Sequence, residues 1–109
     1  MKRLLNEAEP PSAVFCGSDI LAVGALKYCS DQQLDIPGSI SILGFDDLEI
    51  AEITTPGLTT LRVPAKEMGR IAGDYILASA AQRRHQQRHE LAVSLVVRGS
   101  TGPFRPGIG

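Results

Sequence analysis

The spacing of apolar residues divides the chain into short runs and longer helical periods. Ile40, Ile42, Leu43 and Phe45, within Ser39 to Asp47, form a nearly continuous apolar run rich in β-branched residues and bounded by turn residues. Such a run predicts a strand covered on both faces of a parallel sheet. Ala13 to Cys16, Leu58 to Val63 and Leu91 to Arg98 predict three further strands. The intervening segments read as helices. Lys2 to Glu9 is stopped by Pro10-Pro11, and Asp19 to Asp31 follows with Ser18 or Asp19 as N-cap. A short helix runs from Leu48 to Ile53. The strongest helical period covers Pro64 to Gln82, where Met68, Ile71, Ala72, Tyr75, Ile76 and Ser79 fall on one face. Strands alternating with helices give an α/β layer structure, a mostly parallel sheet flanked by helices. Arg83 to His89 reads as a polar linker and Gly102 to Gly109 as a disordered Gly/Pro-rich tail.

The helix Asp19 to Asp31 carries two apolar stripes. Ala22, Ala25, Leu26 and Cys29 form one, and Ile20, Val23 and Gly24 the other. A single sheet covers only one stripe, so the second predicts a protein–protein face.

With 109 residues, the chain is one small domain or part of a larger one. Eleven basic against twelve acidic residues give a net charge of −1, which argues against a phosphate-hugging nucleic-acid surface. The two cysteines, Cys16 and Cys29, both lie in apolar patterns and read as small reduced hydrophobes. No apolar stretch approaches the ~20 residues needed to span a bilayer. The opening Met-Lys-Arg-Leu-Leu-Asn-Glu lacks the apolar core of a secretory signal, so the cytoplasm is the expected compartment.

Candidate chemistry concentrates at the carboxyl end of the central strand, the edge where open α/β sheets bind ligands. Asp46 and Asp47 stand there, and Gly44 lets another element or a ligand approach the backbone. Asp46-Asp47-Leu48-Glu49 also has the D-x-x-E spacing of a capping box, and the residue types favour capping. Both roles are compatible if one carboxylate caps while its neighbour faces the cleft. A carboxylate there suits vicinal hydroxyls or ring N–H groups, hence a sugar or a nucleobase. Phe15-Cys16-Gly17-Ser18-Asp19 forms a second strand-to-helix corner at the same edge, where an N-cap role is expected for Ser18 or Asp19. Catalysis finds no support. Gly17-Ser18-Asp19 lacks the spacing of a nucleophile elbow, which leaves little for a hydrolase built on Asp46 and Ser18. His85 and His89 could share a metal at i, i+4, but their charged surroundings favour a solvated helix end, so neither metal nor cofactor is expected. Arg83 to Arg88 could touch phosphate, but without neighbouring aromatics reads as a surface loop, and there is no phosphate-binding or dinucleotide fingerprint.

Several linked motifs resemble the LacI-type bacterial transcription regulators, the family of the lactose and purine repressors. They are Pro11-Ser-Ala-Val-Phe-Cys-Gly-Ser-Asp-Ile-Leu-Ala-Val-Gly-Ala-Leu, then Ile36-Pro-Gly-Ser-Ile-Ser-Ile-Leu-Gly-Phe-Asp-Asp, Thr55-Pro-Gly-Leu-Thr-Thr-Leu-Arg-Val-Pro, Glu67-Met-Gly-Arg and Leu95-Val-Val-Arg-Gly-Ser-Thr-Gly-Pro. The resemblance implies part of a two-lobed core like a periplasmic binding protein. Residues 1–63 would belong to the C-terminal lobe, 64–97 would supply a helix and strand of the other lobe, and 98–109 would be a return segment and tail. It further implies a small-molecule effector, expected to be a carbohydrate, homodimerisation, and DNA contact only through a headpiece that has no counterpart here. On the family pattern Asp46 takes the effector-binding aspartate's place. Ser18 falls where members often have an asparagine touching the effector, a departure from that pattern. Val23 and Thr54 match dimer-interface positions. A helix separated from its sheet would expose its apolar stripe and favour self-association. A periplasmic sugar-binding transport component is the alternative on the same architecture, but the Pro64-to-Gly69 pattern and the Arg98-Gly-Ser-Thr-Gly-Pro ending favour the regulator.

Overall fold

The structure is a computed structural model and describes residues 1–85 and 88–104, with the side chains of Arg84 and His85 outside the description. Most of the Gly/Pro-rich tail, part of the basic stretch and the His85 side chain of the histidine pair therefore lie outside the description.

Element order is α1 (Lys2–Leu5), β1 (Ala13–Phe15), α2 (Asp19–Asp31), β2 (Ser41–Leu43), α3 (Glu49–Ile53), β3 (Thr60–Arg62), α4 (Ala65–Leu77), α5 (Ala80–His85) and β4 (Ser94–Val96). β1 and β2 pair in parallel, Val14 opposite Ile42, and a parallel bridge from Leu43 to Thr59 brings the next segment alongside. This is the parallel α/β sheet the pattern predicts. β3 and β4 add an antiparallel ribbon, Leu61 opposite Leu95, so the last strand runs against its neighbour.

Ser18 N-caps α2 by accepting the Leu21 N–H at 3.3 Å. The stripe Ala22, Ala25, Leu26 and Cys29 is the buried one, and it packs with Ile40, Ile42, Ala51 and Leu58 in one core. Burial pushes the Cys16 and Cys29 thiols up from their ordinary value, and both cysteines are free, as expected of small packed hydrophobes.

The segment after β4 is stitched into this core. Ile42 N–H donates to the Ser100 carbonyl at 2.8 Å, the Ser100 hydroxyl donates to the Ile42 carbonyl at 2.6 Å, and Thr59 N–H donates to that hydroxyl at 2.8 Å. Ser100 is fully buried, and its hydroxyl serves as donor and acceptor at once, which removes the penalty of enclosing it.

Two helices differ from their sequence expectation. α1 is shorter than Lys2 to Glu9. The period from Pro64 to Gln82 divides at Ala78, whose backbone is extended at φ −69°, ψ 151°. Ser79 and Gln82 explain the division. Gln82 N–H donates to the Ser79 hydroxyl at 3.3 Å while Ser79 N–H donates to Gln82 Oε1 at 2.9 Å, a reciprocal capping box that begins a new helix. α5 in turn extends through part of the segment expected to be linker. α4 buries none of its residues, and Met68, Ile76 and Leu77 are exposed along it.

Candidate ligand-binding site

The site grows from the carboxyl end of β2, and Gly44 is its first requirement. A Cβ on Gly44 would sit 2.2 Å from Asp19 Oδ1 and 2.9 Å from Leu58 Cδ2, so only glycine admits the Asp19 carboxylate here. The close approach expected at Gly44 is thus filled by the protein itself. Asp19 is fully buried. Its Oδ1 accepts the Thr60 hydroxyl at 2.6 Å, its Oδ2 accepts the Leu48 N–H at 2.7 Å, and its own N–H donates to the Phe45 carbonyl at 2.8 Å. One side chain thereby joins the start of α2, the end of β2, the entry to α3 and the start of β3.

That arrangement corrects the capping-box expectation at Asp46 to Glu49. Leu48 is the N-cap residue of α3, no side chain of the D-x-x-E run caps it, and the Leu48 N–H is taken by Asp19. Asp46 and Asp47 have positive φ, 107° and 53°, and form a turn rather than a helix start. The turn is held by backbone bonds to the neighbouring segment, Gly44 N–H to the Thr59 carbonyl and Asp46 N–H to the Leu61 carbonyl, both 2.9 Å.

The two adjacent carboxylates have different surroundings. Asp47 Oδ2 accepts Arg62 Nε at 2.7 Å and Oδ1 accepts Arg98 Nη2 at 2.9 Å. Burial is the largest single influence on this group and pushes its pKa up, but hydrogen bonds and charge from Arg62 and Arg98 together outweigh it and hold the carboxyl below its ordinary 3.8. Asp46 is exposed, and among the described residues no cation pairs with it. It lines an open cleft of about 1070 Å³ whose apolar walls include Phe45, Val63, Leu91 and Val93 and, from α4, Met68, Ile71 and Tyr75, with the basic side chains of Arg83, Arg88 and His89 also on its lining. A carboxylate on the rim of such a cleft can accept hydrogen bonds from a polar ligand whose rings or carbon faces meet the apolar walls.

The other expected site residues sit elsewhere. Ser18 and Asp46 flank the hydrogen bond from Asp19 to Phe45, so both stand at one sheet edge, but Ser18 does not line the cleft and its hydroxyl is engaged in capping. Val23 and Thr54 are half-buried, and the Thr54 hydroxyl donates to the Ala51 carbonyl at 3.2 Å. Around them Ile20 is 60% and Ile53 78% exposed, so the outer stripe of α2 and the end of α3 present apolar surface. Among the described residues no group of three or more His, Cys, Asp or Glu is arranged to hold a metal, and no helix is long and apolar enough to cross a membrane. Sequence reasoning passed over Asp19 as a buried hub and over Arg62 and Arg98 as partners of Asp47. The available signal was an arginine beside each end of the β3–β4 ribbon with two carboxylates in the preceding turn.

Residues 1–101 match the family model of the periplasmic binding protein-like domain. The chain belongs to this family. Curated relatives such as the ribose operon repressor and the HTH-type repressors PurR and CytR are transcription repressors rather than enzymes. The ribose operon repressor of Escherichia coli (strain K12) is 39% identical over 101 residues, covering 92% of this chain and 31% of the repressor. A LacI family transcriptional regulator from Lactobacillus casei with bound glucose superposes with a TM-score of 0.73 at 30% identity, covering 92% of this chain and 36% of that one. The lac repressor dimer bound to operator and the anti-inducer ONPF gives a TM-score of 0.76 at 30% identity, over 91% of this chain and 35% of that one. The chain spans about a third of the length of these relatives.

Proposed function

We propose that the chain is the effector-binding and dimerising part of a LacI-type transcription regulator acting in the cytoplasm. Its small-molecule effector is a carbohydrate or a nucleobase-like compound. Asp46 is the carboxylate that accepts the ligand's hydroxyl or ring N–H groups. Ser18, outside the cleft on the same sheet edge and able to donate its hydroxyl proton while it caps α2, is a second polar contact for a ligand that reaches past the rim. The observation that carries this reading is the unequal environment of the two aspartates: Asp47 is held by two arginines, while Asp46, on the cleft rim, has no ion pair among the described residues. The unusual φ of 107° at Asp46 supports it, because backbone strain of this kind, roughly 1–3 kcal/mol, concentrates at ligand-contacting positions.

Residues 1–63 form the C-terminal lobe's share of the core, 64–97 contribute a helix and strand to the other lobe, and 98–109 return to the first. On this division the apolar stripe of α4 meets the second lobe's sheet, and the cleft below Asp46 is part of the space between lobes. Val23 and Thr54 lie on the homodimer face, and DNA is bound through a headpiece outside this chain. Ligand binding then shifts a two-state equilibrium of lobe closure.

The reading is tested by calorimetric titration of the full-length protein with D-ribose, D-glucose and hypoxanthine, before and after Asp46→Ala. The variant is expected to lose about 1.5–3 kcal/mol of affinity for whichever compound binds, the range for a hydrogen bond to a charged group. Unchanged affinity in a folded variant would remove Asp46 from the site.

A further inference from the structure

Asp47 lies beside the proposed ligand carboxylate, yet both its oxygens are committed to arginines, one ending a strand and the other just past the end of a second. Arg62 ends β3, the strand that leads out of the core toward α4. Arg98 follows β4, the strand that leads back. Oδ2 of Asp47 takes Arg62 Nε at 2.7 Å and Oδ1 takes Arg98 Nη2 at 2.9 Å. Arg98 is held in place by a second bond, Nη1 to the Leu58 carbonyl at 2.9 Å, and by its N–H to the Thr59 hydroxyl at 2.9 Å. The carboxylate is 9% exposed and the Arg98 side chain 19%, so this arm is largely withdrawn from water, while Arg62 is 61% exposed. Charge-assisted bonds withdrawn from water are stronger and more directional than surface pairs.

We propose that Asp47 is a positioning residue that clamps the outgoing and returning strands to the turn bearing Asp46, so that ligand contact at Asp46 and the angle of the two strands change together. The turn and the ribbon are one mechanical unit. Asp46 N–H bonds the Leu61 carbonyl, one residue before Arg62, and Leu61 lies opposite Leu95 on β4. A movement of either strand therefore pulls on the backbone whose φ sets the direction of the Asp46 carboxylate, and Asp47 ties the third side of that triangle. This rests on the reading of Asp46 as the ligand carboxylate, but the clamp can be measured without ligand. Its failure and that reading's failure are therefore separate results.

The test is residue-resolved amide exchange on this chain, comparing the parent with Asp47→Asn, Arg62→Gln and the double variant. The reporters are Gly44 and Asp46 for the turn, and Arg98 and Ser100 for the returning segment, with Leu26 and Cys29 of α2 as the control. Asp47→Asn is expected to speed exchange about tenfold at both reporter groups and leave the α2 amides unchanged. Arg62→Gln, at an exposed position that the fold tolerates, is expected to speed exchange at the turn in the parent but add nothing in the Asp47→Asn background. Acceleration at one reporter group only, equal acceleration across α2, or additive effects in the double variant would each overturn the clamp.

Discussion

Helices α2 and α4 are both 13 residues long, yet α2 buries Asp19, Ala22, Ala25, Leu26 and Cys29 while α4 buries nothing. The contrast is not one of sequence quality, since α4 has the cleaner amphipathic period of the two. It lies in what each helix finds to cover its apolar face. α2 meets β2 within the same stretch of chain, and Ile40, Ile42 and Leu58 close over it. The stripe of α4 faces a cleft, and Leu95 and Val97 of the accompanying β4 region are likewise 59% and 69% exposed. An amphipathic period records that a helix needs a cover but does not say where the cover is. The same difference separates the polar groups: Asp19, Thr60 and Ser100 are enclosed and fully bonded, whereas the ion pairs of α4, Arg70 with Glu67 and Asp74, lie on its exposed surface and contribute little.

The comparison is broken most forcefully in the core. Ile42→Ala removes a fully buried side chain and is expected to cost about 2–5 kcal/mol in urea unfolding followed by circular dichroism. A cost near zero would mean that the α2–β2 core is not what holds the lobe.

Acidification gives a smaller effect that belongs to the junction between the two regions. The folded-state pKa of Asp47 lies below its ordinary 3.8, so its pairing with Arg62 and Arg98 stabilises the fold above that value. The contribution is lost as pH falls from about 3.8 through the lower folded value, because the arginines stay charged while the carboxylate is neutralised. Unfolding midpoints compared between about pH 5 and about pH 3 should show a steeper fall in the parent than in Asp47→Asn. Equal slopes would deny Asp47 this role.

The smallest effect on stability is expected in the arm. Ile76 is 72% exposed, so Ile76→Lys should leave the unfolding free energy within about 0.5 kcal/mol of the parent. The same change should reduce any concentration-dependent rise of the light-scattering mass above 11.6 kDa, because it places a charge in the uncovered stripe. A destabilisation as large as that of Ile42→Ala would show that α4 is packed after all.

Much of this was legible in the sequence. The α2 span and its buried stripe followed from residue spacing, as did the parallel pairing of the first two strands, and the cap was narrowed to Ser18 or Asp19, of which Ser18 is the one. The turn at Asp46 and Asp47 was legible as a place but not as a geometry. A D-x-x-E spacing satisfies a capping box on paper, and only the buried Asp19 carboxylate, 29 residues away in sequence, took the donor that Asp47 or Asp46 would have capped. Long-range polar contacts of this kind leave no local period. The division of the Pro64-to-Gln82 helix, by contrast, was present as Ser79-Ala-Ala-Gln82 and was hidden because the apolar stripe runs across it. The arginine partners of Asp47 left a signal only once the ribbon is known, for the first reason: Arg62 and Arg98 reach Asp47 together only when two segments distant in sequence run side by side.

Amide hydrogen exchange along the unmodified chain at low concentration tests the two-part account most directly. An uncovered 13-residue helix is marginal in water, so amides of Ala65–Leu77 should exchange quickly while those of α2 and β2 remain protected to near the global unfolding limit. Protection of α4 equal to that of α2 would contradict the account, since it would require a cover for α4 within this chain.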